Sequence, residues 1–352
     1  MTLYTALYTG LASFILCAGV LFALHPLAKR FGLTDKPDTR KQHKGEVALI
    51  GGIAIGFTFI AIAQPSLYLL ASLCGLLVLG VLDDMLDMRP LVKLLGQISI
   101  TALLIYGDDL VIVSFGTYAA QELYLGAYAA PFTIIAIVGL INAINMADGL
   151  DGLAGGLCLI ALIHLVGLMI MLGYPLPTNF GTNFGGALAT AIGAVTAFMI
   201  FNMGAIRGRK VFLGDSGSMV IGLLLSYFLI TASTYEGGDS FPSSLIPWLI
   251  ALPVIETLTL SYRRLRQKRS PFSADRTHLH HLLQNKGFAP RQILLIMGAG
   301  AIALIWIGVA IFILTPFIAP TLQGVAAGVV FIALPLFYYR LLIRNLTAHE
   351  RP

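Results

Sequence analysis

The chain is poor in charge. Only 11% of its 352 residues are Asp, Glu, Lys or Arg, and 57% are hydrophobic, whereas soluble domains carry about 25% charged and roughly 45–50% apolar residues. That balance excludes an ordinary soluble globule and places the chain in a membrane. At about 20 apolar residues per crossing, the hydrophobic content is enough for on the order of ten helices. Cysteine is scarce too. Cys17, Cys74 and Cys158 each lie in an apolar run and none forms a C-x-x-C pair, so neither a disulfide framework nor a zinc ribbon is offered. No Gly-Lys pair occurs, which excludes a P-loop, and no G-x-G-x-x-G follows a strand pattern, so ATP-driven chemistry is disfavoured. No repeat of fixed period and no inverted-repeat symmetry is visible.

Hydropathy gives eleven candidate spans, near 4–28, 47–64, 67–83, 90–107, 127–147, 153–173, 182–203, 216–234, 244–262, 292–315 and 319–343. No basic residue precedes the first, and it reads as a retained span rather than a cleaved leader. Lys29 and Arg30 follow it, which by the positive-inside rule sets the N-terminus outside. Threading eleven spans from that start makes the loops near 29–46, 83–93, 144–152, 204–215 and 263–291, and the C-terminus, cytoplasmic. Of the 22 Lys and Arg residues 21 fall there and Arg340 lies at the inner end of the last span, while the outer connections carry only Asp108, Asp109, Glu122, Glu236 and Asp239. The net charge of +5 is thus a topological signal and points to no nucleic-acid partner. The expectation is an all-α polytopic membrane protein of about eleven helices, N-terminus outside and C-terminus cytoplasmic. It forms one integral membrane domain over 1–352, with its candidate site on the inner loops 29–46, 83–93, 144–152, 204–218 and 263–291.

Four polar clusters interrupt the apolar chain, all on the face expected to be cytoplasmic. Asp83, Asp84 and Asp87 close the third span, and on a continuing helix Asp87 shares a face with both others. Carboxylates beside a low-dielectric phase call for a compensating cation or proton, the alternative being a solvated helix end. Asn142, Asn145, Asp148 and Asp151, with Gly149 and Gly152, join the fifth and sixth spans. A helix start rich in glycine favours phosphate; the alternative is a plain Asx-type turn and helix cap, which needs one aspartate rather than two aspartates and two asparagines. Asp215 in Phe212-Leu213-Gly214-Asp215-Ser216-Gly217-Ser218 precedes another inward-facing helix start and is also a candidate cap. Arg207, Arg209 and Lys210 beside it suit a metal-bound polyphosphate. The last cluster runs from Arg263 and Arg264 to His278, His280 and His281. Lipid headgroups account for most of its arginines. They do not account for three histidines in four positions, and with no cysteine near to complete a zinc set, phosphate contact is the reading. His25 and His164, isolated in apolar spans, read as core or pore residues.

Carboxylates, imidazoles and cations on one membrane face suggest a divalent cation and a phosphate ester, since magnesium binds through one or two carboxylates plus substrate phosphates. A transporter or channel with an aspartate pathway is the rival class. It would place charges deep in several spans, whereas Glu256 is the main mid-span exception.

Taken in order, Asp83-Asp84, Asn142-x-x-Asn145-x-x-Asp148-Gly149-x-Asp151-Gly152, Phe212-x-Gly214-Asp215-x-Gly217-Ser218 and His278-x-His280-His281 resemble the motifs of the polyprenyl-phosphate N-acetylhexosamine-1-phosphate transferases. Ser270-Pro271-Phe272-Ser273-x-Asp275-Arg276 before the histidines is similar to the N-acetylglucosaminyl branch rather than the muramoyl-pentapeptide branch. The resemblance implies transfer of GlcNAc-1-phosphate from UDP-GlcNAc to undecaprenyl phosphate with release of UMP. It implies Mg2+ or Mn2+ as cofactor, a bacterial inner-membrane location with lipid contact, and a role in lipid-linked surface glycan synthesis; a homodimer stays open, as does another UDP-N-acetylhexosamine as donor. Carried over by position, Asp215 and Asp84 are metal ligands. Asp83, Asp84, Asp87, Asp148, Asp151 and His278 form the catalytic group. Asp35, Lys41, His43, Asn142, Asn145, Asn202, Phe212, Arg264, His280 and His281 bind substrate, Phe212 by stacking on uracil. Two positions depart from the pattern: Ala48 stands where many members have proline, and Glu256 where the branch often has aspartate.

Overall fold

The structure is a computed structural model that describes residues 3–35, 45–118, 121–176, 184–234, 240–270, 277–318 and 333–340. In chain order its elements are α1 (Leu3–Phe31), β1 (Thr34–Asp35), β2 (Val47–Leu49), α2 (Gly51–Ala63), α3 (Leu67–Leu86), α4 (Pro90–Asp108), β3 (Ser114–Tyr118), β4 (Gln121–Tyr124), α5 (Ala129–Ala147), α6 (Leu153–Leu172), α7 (Phe184–Asn202), β5 (Val211–Phe212), α8 (Gly214–Ser233), α9 (Ile246–Leu249), α10 (Ala251–Arg266), α11 (Leu279–Asn285) and α12 (Pro290–Ile318). Among the described residues eight helices are long and apolar enough to cross a membrane, and they coincide with eight of the eleven expected spans. The expected span at 47–64 is the 13-residue α2, that at 244–262 falls on α9 and the 16-residue α10, and that at 319–343 lies mostly outside the described residues. The all-α polytopic reading holds, with two short sheets added. The chain divides into two compact units, Met1–Val111 with Ala130–Ser240, and Ile112–Ala129 with Phe241–Pro352.

The first unit is organised around α8, which packs against α2, α3, α6 and α7; α1 lies on α7 and α2, and α4 on α3. From Ser216 to Ala232 every residue of α8 is buried, as expected of a helix apolar on all sides. Its first turn is approached too closely for side chains on the neighbouring helices. A Cβ on Gly52 would meet the backbone of Gly217, and one on Gly80 the backbone of Ser216, so glycine is required at both places. The neighbouring helix α3 is capped at its start by Ser66, whose hydroxyl accepts from the Leu69 N–H at 3.1 Å. It ends at Leu86, because Asp87 is left-handed (φ 49°) and donates its N–H to the Asp83 carbonyl. The helical face expected to unite Asp83, Asp84 and Asp87 therefore stops short of Asp87. Pro90 then starts α4 at a position where its missing N–H costs no hydrogen bond.

A three-stranded sheet of order β1-β2-β5 ties the start of the chain to the segment before α8. Strands β1 and β2 are antiparallel, with Asp35 opposite Val47. Strands β2 and β5 are parallel, with Ala48 opposite Val211 and Leu49 opposite Phe212. In the second unit β3 and β4 form an antiparallel hairpin in which Ser114 donates to the Glu122 carboxylate at 2.8 Å. There α12 packs against α9, α10 and α11, and Gly308 on α12 leaves space for the Trp248 ring.

Candidate functional site

Three of the four sequence clusters meet in the first unit, at the ends of α3, α5 and α7 and the start of α8. Asp84 accepts the Asp215 N–H at 2.8 Å through one carboxylate oxygen and the Ser216 N–H at 3.3 Å through the other. It thus caps α8 from a neighbouring helix and satisfies amide donors that a helix start leaves open. The Asp215 carboxylate accepts from Asn145 Nδ2 at 2.5 Å and from Lys93 Nζ at 2.7 Å. The same Asn145 amide donates to Ser218 Oγ at 2.9 Å, while Lys93 reaches Asp83 at 2.5 Å. One ammonium therefore bridges Asp83 and Asp215, residues from two different motifs. Sequence reasoning counted Lys93 only as an inner positive charge; its position one turn inside an apolar span was the available signal.

Asp148 lies in the turn between α5 and α6. Burial pushes its carboxyl well above the ordinary carboxylate range, and the charges of Asp215, Asp151 and Asp84 add to that, in decreasing order. These carboxylates thus sense one another electrostatically, and a cation among them relieves the repulsion. Next to them, Lys210 Nζ holds Asp151 at 2.5 Å and lies 4.9 Å from the centre of the Phe212 ring. Phe212 is half-buried in β5. Asn202 is buried and joins two chain segments: it accepts the Gly152 N–H at 2.6 Å and donates to the Val211 carbonyl at 2.9 Å. It holds the Asp151 turn against the strand bearing Phe212. Asn142 instead donates to Gln97 and to the Val138 carbonyl, both at 2.8 Å. Asp35 is placed in β1, and Asp87 is exposed at the end of α3. Lys41 and His43 lie outside the described residues.

The fourth cluster belongs to the second unit. Glu256 on α10 accepts the Leu279 N–H at 2.7 Å, and His278 Nδ1 lies 3.3 Å from the same carboxylate oxygen. The His278 and His280 rings stack with centroids 5.5 Å apart, and those of His280 and His281 lie 4.2 Å apart. His281 faces Gln284 at 3.1 Å. Burial, with the His281 charge beside it, lowers His280 to about 4, so that ring is neutral at physiological pH. Arg264 is buried near the end of α10. Glu256, singled out in the sequence only as a departure, thus supports the histidine motif. His164 is half-buried within α6, with Nδ1 2.7 Å from the Ile160 carbonyl.

Comparison with known proteins supplies the remaining observation. The family described as glycosyl transferase family 4 matches residues 66–233, the stretch that holds the first three clusters. The undecaprenyl-phosphate alpha-N-acetylglucosaminyl 1-phosphate transferase of Escherichia coli O157:H7 is 34% identical over 322 residues, covering 88% of this chain and 84% of the relative. The protein of the same name from Pasteurella multocida is 34% identical, with 87% and 85% covered, and that from Salmonella typhi is 32% identical, with 88% and 84% covered. Together with the four motifs in order and the meeting of the first three around the start of α8, these likenesses establish that the chain belongs to the polyprenyl-phosphate N-acetylhexosamine-1-phosphate transferase family.

Proposed function

We propose that the protein transfers N-acetylglucosamine 1-phosphate from UDP-GlcNAc to undecaprenyl phosphate. An oxygen of the lipid phosphate forms a bond to the sugar-bearing phosphorus of the donor, the bond from that phosphorus to the bridging oxygen breaks, and UMP leaves. One pyrophosphate linkage replaces another, so no separate energy source is required. The observation that carries the reading is the gathering of Asp84, Asp148 and Asp215 with Lys93 and Lys210 beside Phe212. It combines anionic oxygens for a cation, ammonium groups for phosphate and a ring for a base.

The donor set suits a hard divalent ion, since Mg2+ takes oxygen ligands from a few carboxylates and shares substrate phosphates. In this reading Asp215 and Asp84 hold Mg2+ or Mn2+, which when bound offsets negative charge on the diphosphate. The chain's own residues do the rest. Asn145 fixes the Asp215 rotamer, Asp84 fixes the start of α8, and Lys93 holds Asp83 beside Asp215. Phe212 stacks on the uracil while Lys210 and Asp151 border it. Asp83 or Asp148 takes any proton carried by the lipid phosphate. Arg264, His278, His280 and His281 keep the donor-phosphate role that the family resemblance implies. The orientation follows from the one-sided Lys and Arg distribution, with eleven spans, the N-terminus outside and the reaction on the cytoplasmic side of a bacterial inner membrane.

The test is to incubate purified protein with undecaprenyl phosphate, Mg2+ and a panel of UDP-sugars. UMP release would be followed and the lipid product identified by mass. Undecaprenyl-diphosphate-GlcNAc is the expected product; no lipid-linked product from any UDP-sugar would overturn the reading, and preferential use of a pentapeptide-bearing donor would overturn the choice of sugar.

A further inference from the structure

Two polar atoms in the second unit stand out. Both ring nitrogens of His280 are buried and have no hydrogen-bond partner among the described residues, and the residue is 1% exposed. A buried polar group without a partner is unfavourable and calls for a physical account, an ion being one of the few available. Glu256 and His278, respectively 4% and 7% exposed, provide the surroundings for one. One ligand atom from each of Glu256, His278 and His280 lies within 4.8 Å of the others.

The spacing has the right scale. Ligand atoms held about 2.0–2.2 Å from a zinc ion lie roughly 3.3–3.5 Å apart at tetrahedral angles, and His278 Nδ1 stands 3.3 Å from Glu256 Oε1. Closing the third side requires a small movement of the His280 ring. The Leu279 N–H that donates to Glu256 at 2.7 Å fixes the carboxylate in the way outer hydrogen bonds fix metal ligands. This answers the difficulty posed by the sequence, where no cysteine stood near the histidines: the third ligand is a carboxylate from α10, more than twenty residues upstream.

We infer that Glu256, His278 and His280 form a binding site for one borderline transition-metal ion of the Zn2+ class, separate in chemistry from the aspartate cluster. Two imidazoles and one carboxylate select such an ion over Mg2+, which prefers all-oxygen sites. A three-ligand set leaves a further coordination position for water or an anionic oxygen, so the ion is compatible with phosphate contact at these histidines. The ion would anchor α11 and the histidine motif to α10. The inference goes beyond the proposed reaction and does not depend on it.

The full-length protein, stripped by a chelator in detergent, is dialysed against Zn2+ in millimolar Mg2+, the Mg2+ being present to occupy the aspartates. Bound zinc is counted by mass spectrometry, its affinity is measured by competition with a chelating dye, and its neighbours are read by X-ray absorption. One retained equivalent is expected, with imidazole nitrogen scattering at about 2.0–2.1 Å. His280→Ala and Glu256→Gln should each weaken binding by at least about 100-fold, the upper end of what losing an outer-shell partner costs, whereas Asp215→Asn should retain the equivalent. Absence of a tight equivalent, equal retention in the His280 and Glu256 variants, or a zinc shell of oxygen alone would overturn the inference. The absorption measurement uses the unaltered protein and decides the matter even if a variant misfolds. UMP release plays no part in these readouts, so failure of the proposed reaction would be seen separately.

Discussion

Lys93→Met asks whether the bridging ammonium is a structural necessity or only a topological charge. The Lys93 side chain is 16% exposed, and it faces Asp83 at 6% and Asp215 at 32%. Removing one partner of a fully buried pair costs about 3–5 kcal/mol, and the Asp83 contact approaches that limit. The Asp215 contact is nearly a third exposed, and solvent screening reduces its share to about 1 kcal/mol or less. Methionine recovers part of the loss by filling the space with apolar volume, about 1 kcal/mol for the additional burial. The net expectation is a destabilisation of about 2–4 kcal/mol. Mg2+ should recover much of it, because the variant leaves two facing carboxylates that a divalent ion can join. The protein carries its own probe: Cys17 and Cys158 are buried and Cys74 is exposed, so a thiol-reactive dye reports unfolding above a constant background. Unfolding in mixed detergent micelles, with and without Mg2+, gives the two free energies. A variant within about 0.5 kcal/mol of the parent, the range of ordinary surface substitutions, with no added dependence on Mg2+, would refute the bridging argument.

Asp215→Asn should reduce UMP release by at least about 10²-fold, comparable to losing one preorganised electrostatic contact, while the dye-monitored unfolding stays cooperative; parental turnover would remove Asp215 from the reaction. Asp148→Asn should raise stability at neutral pH in the absence of divalent ions while lowering turnover. The sign follows from linkage: a carboxyl raised in the folded state lends stability at low pH that is lost as pH rises through its folded value, and an amide does not lose it. A parent whose stability changes with pH no differently from the variant's would contradict that. Phe212→Ala should weaken UDP-GlcNAc binding about tenfold or more, since base stacking contributes about 1–3 kcal/mol, with lipid affinity little changed; equal donor affinity would end the stacking assignment. Cysteines introduced at Gln121 and Lys268 should be labelled from outside and inside respectively, and outside labelling at Lys268 would reverse the topology.

Much of the site was legible because an apolar chain makes its polar residues conspicuous. Asp83-Asp84, the Asn145 to Asp151 segment and Asp215 are the places where the hydrophobic pattern breaks, and all of them meet in the first unit. What was not legible depended on tertiary structure or on backbone conformation. Lys93 sits in a span whose single lysine has a sufficient explanation in membrane insertion, and only the approach of α3, α4 and α8 shows its two carboxylate partners. Strands of two or three residues, such as β1, β2 and β5, are too short for any alternation to register. Asp87 lost its expected place because helix termination by a left-handed residue is decided by local backbone energetics, and an aspartate in Asp-Met-Arg-Pro gives no plain stop before the proline. Asn202 has two backbone partners, the Gly152 N–H and the Val211 carbonyl, that no spacing in the sequence announces. The Glu256 carboxylate met the histidine motif across a long connection that no spacing rule covers.

The capping of α8 by Asp84 also bears on the order in which the protein is made. The two are 131 residues apart in sequence, so at roughly 5–20 residues per second the ribosome spends roughly 7–26 s between delivering the acceptor and its donors. Throughout that interval α2 and α3 present Gly52 and Gly80 to a vacancy that only the first turn of α8 fits. Insertion of the early spans therefore cannot complete the acidic centre, and biogenesis must keep the cleft open to a late-arriving helix. A fragment released before residue 214 would carry Asp84 without the amide donors that it caps.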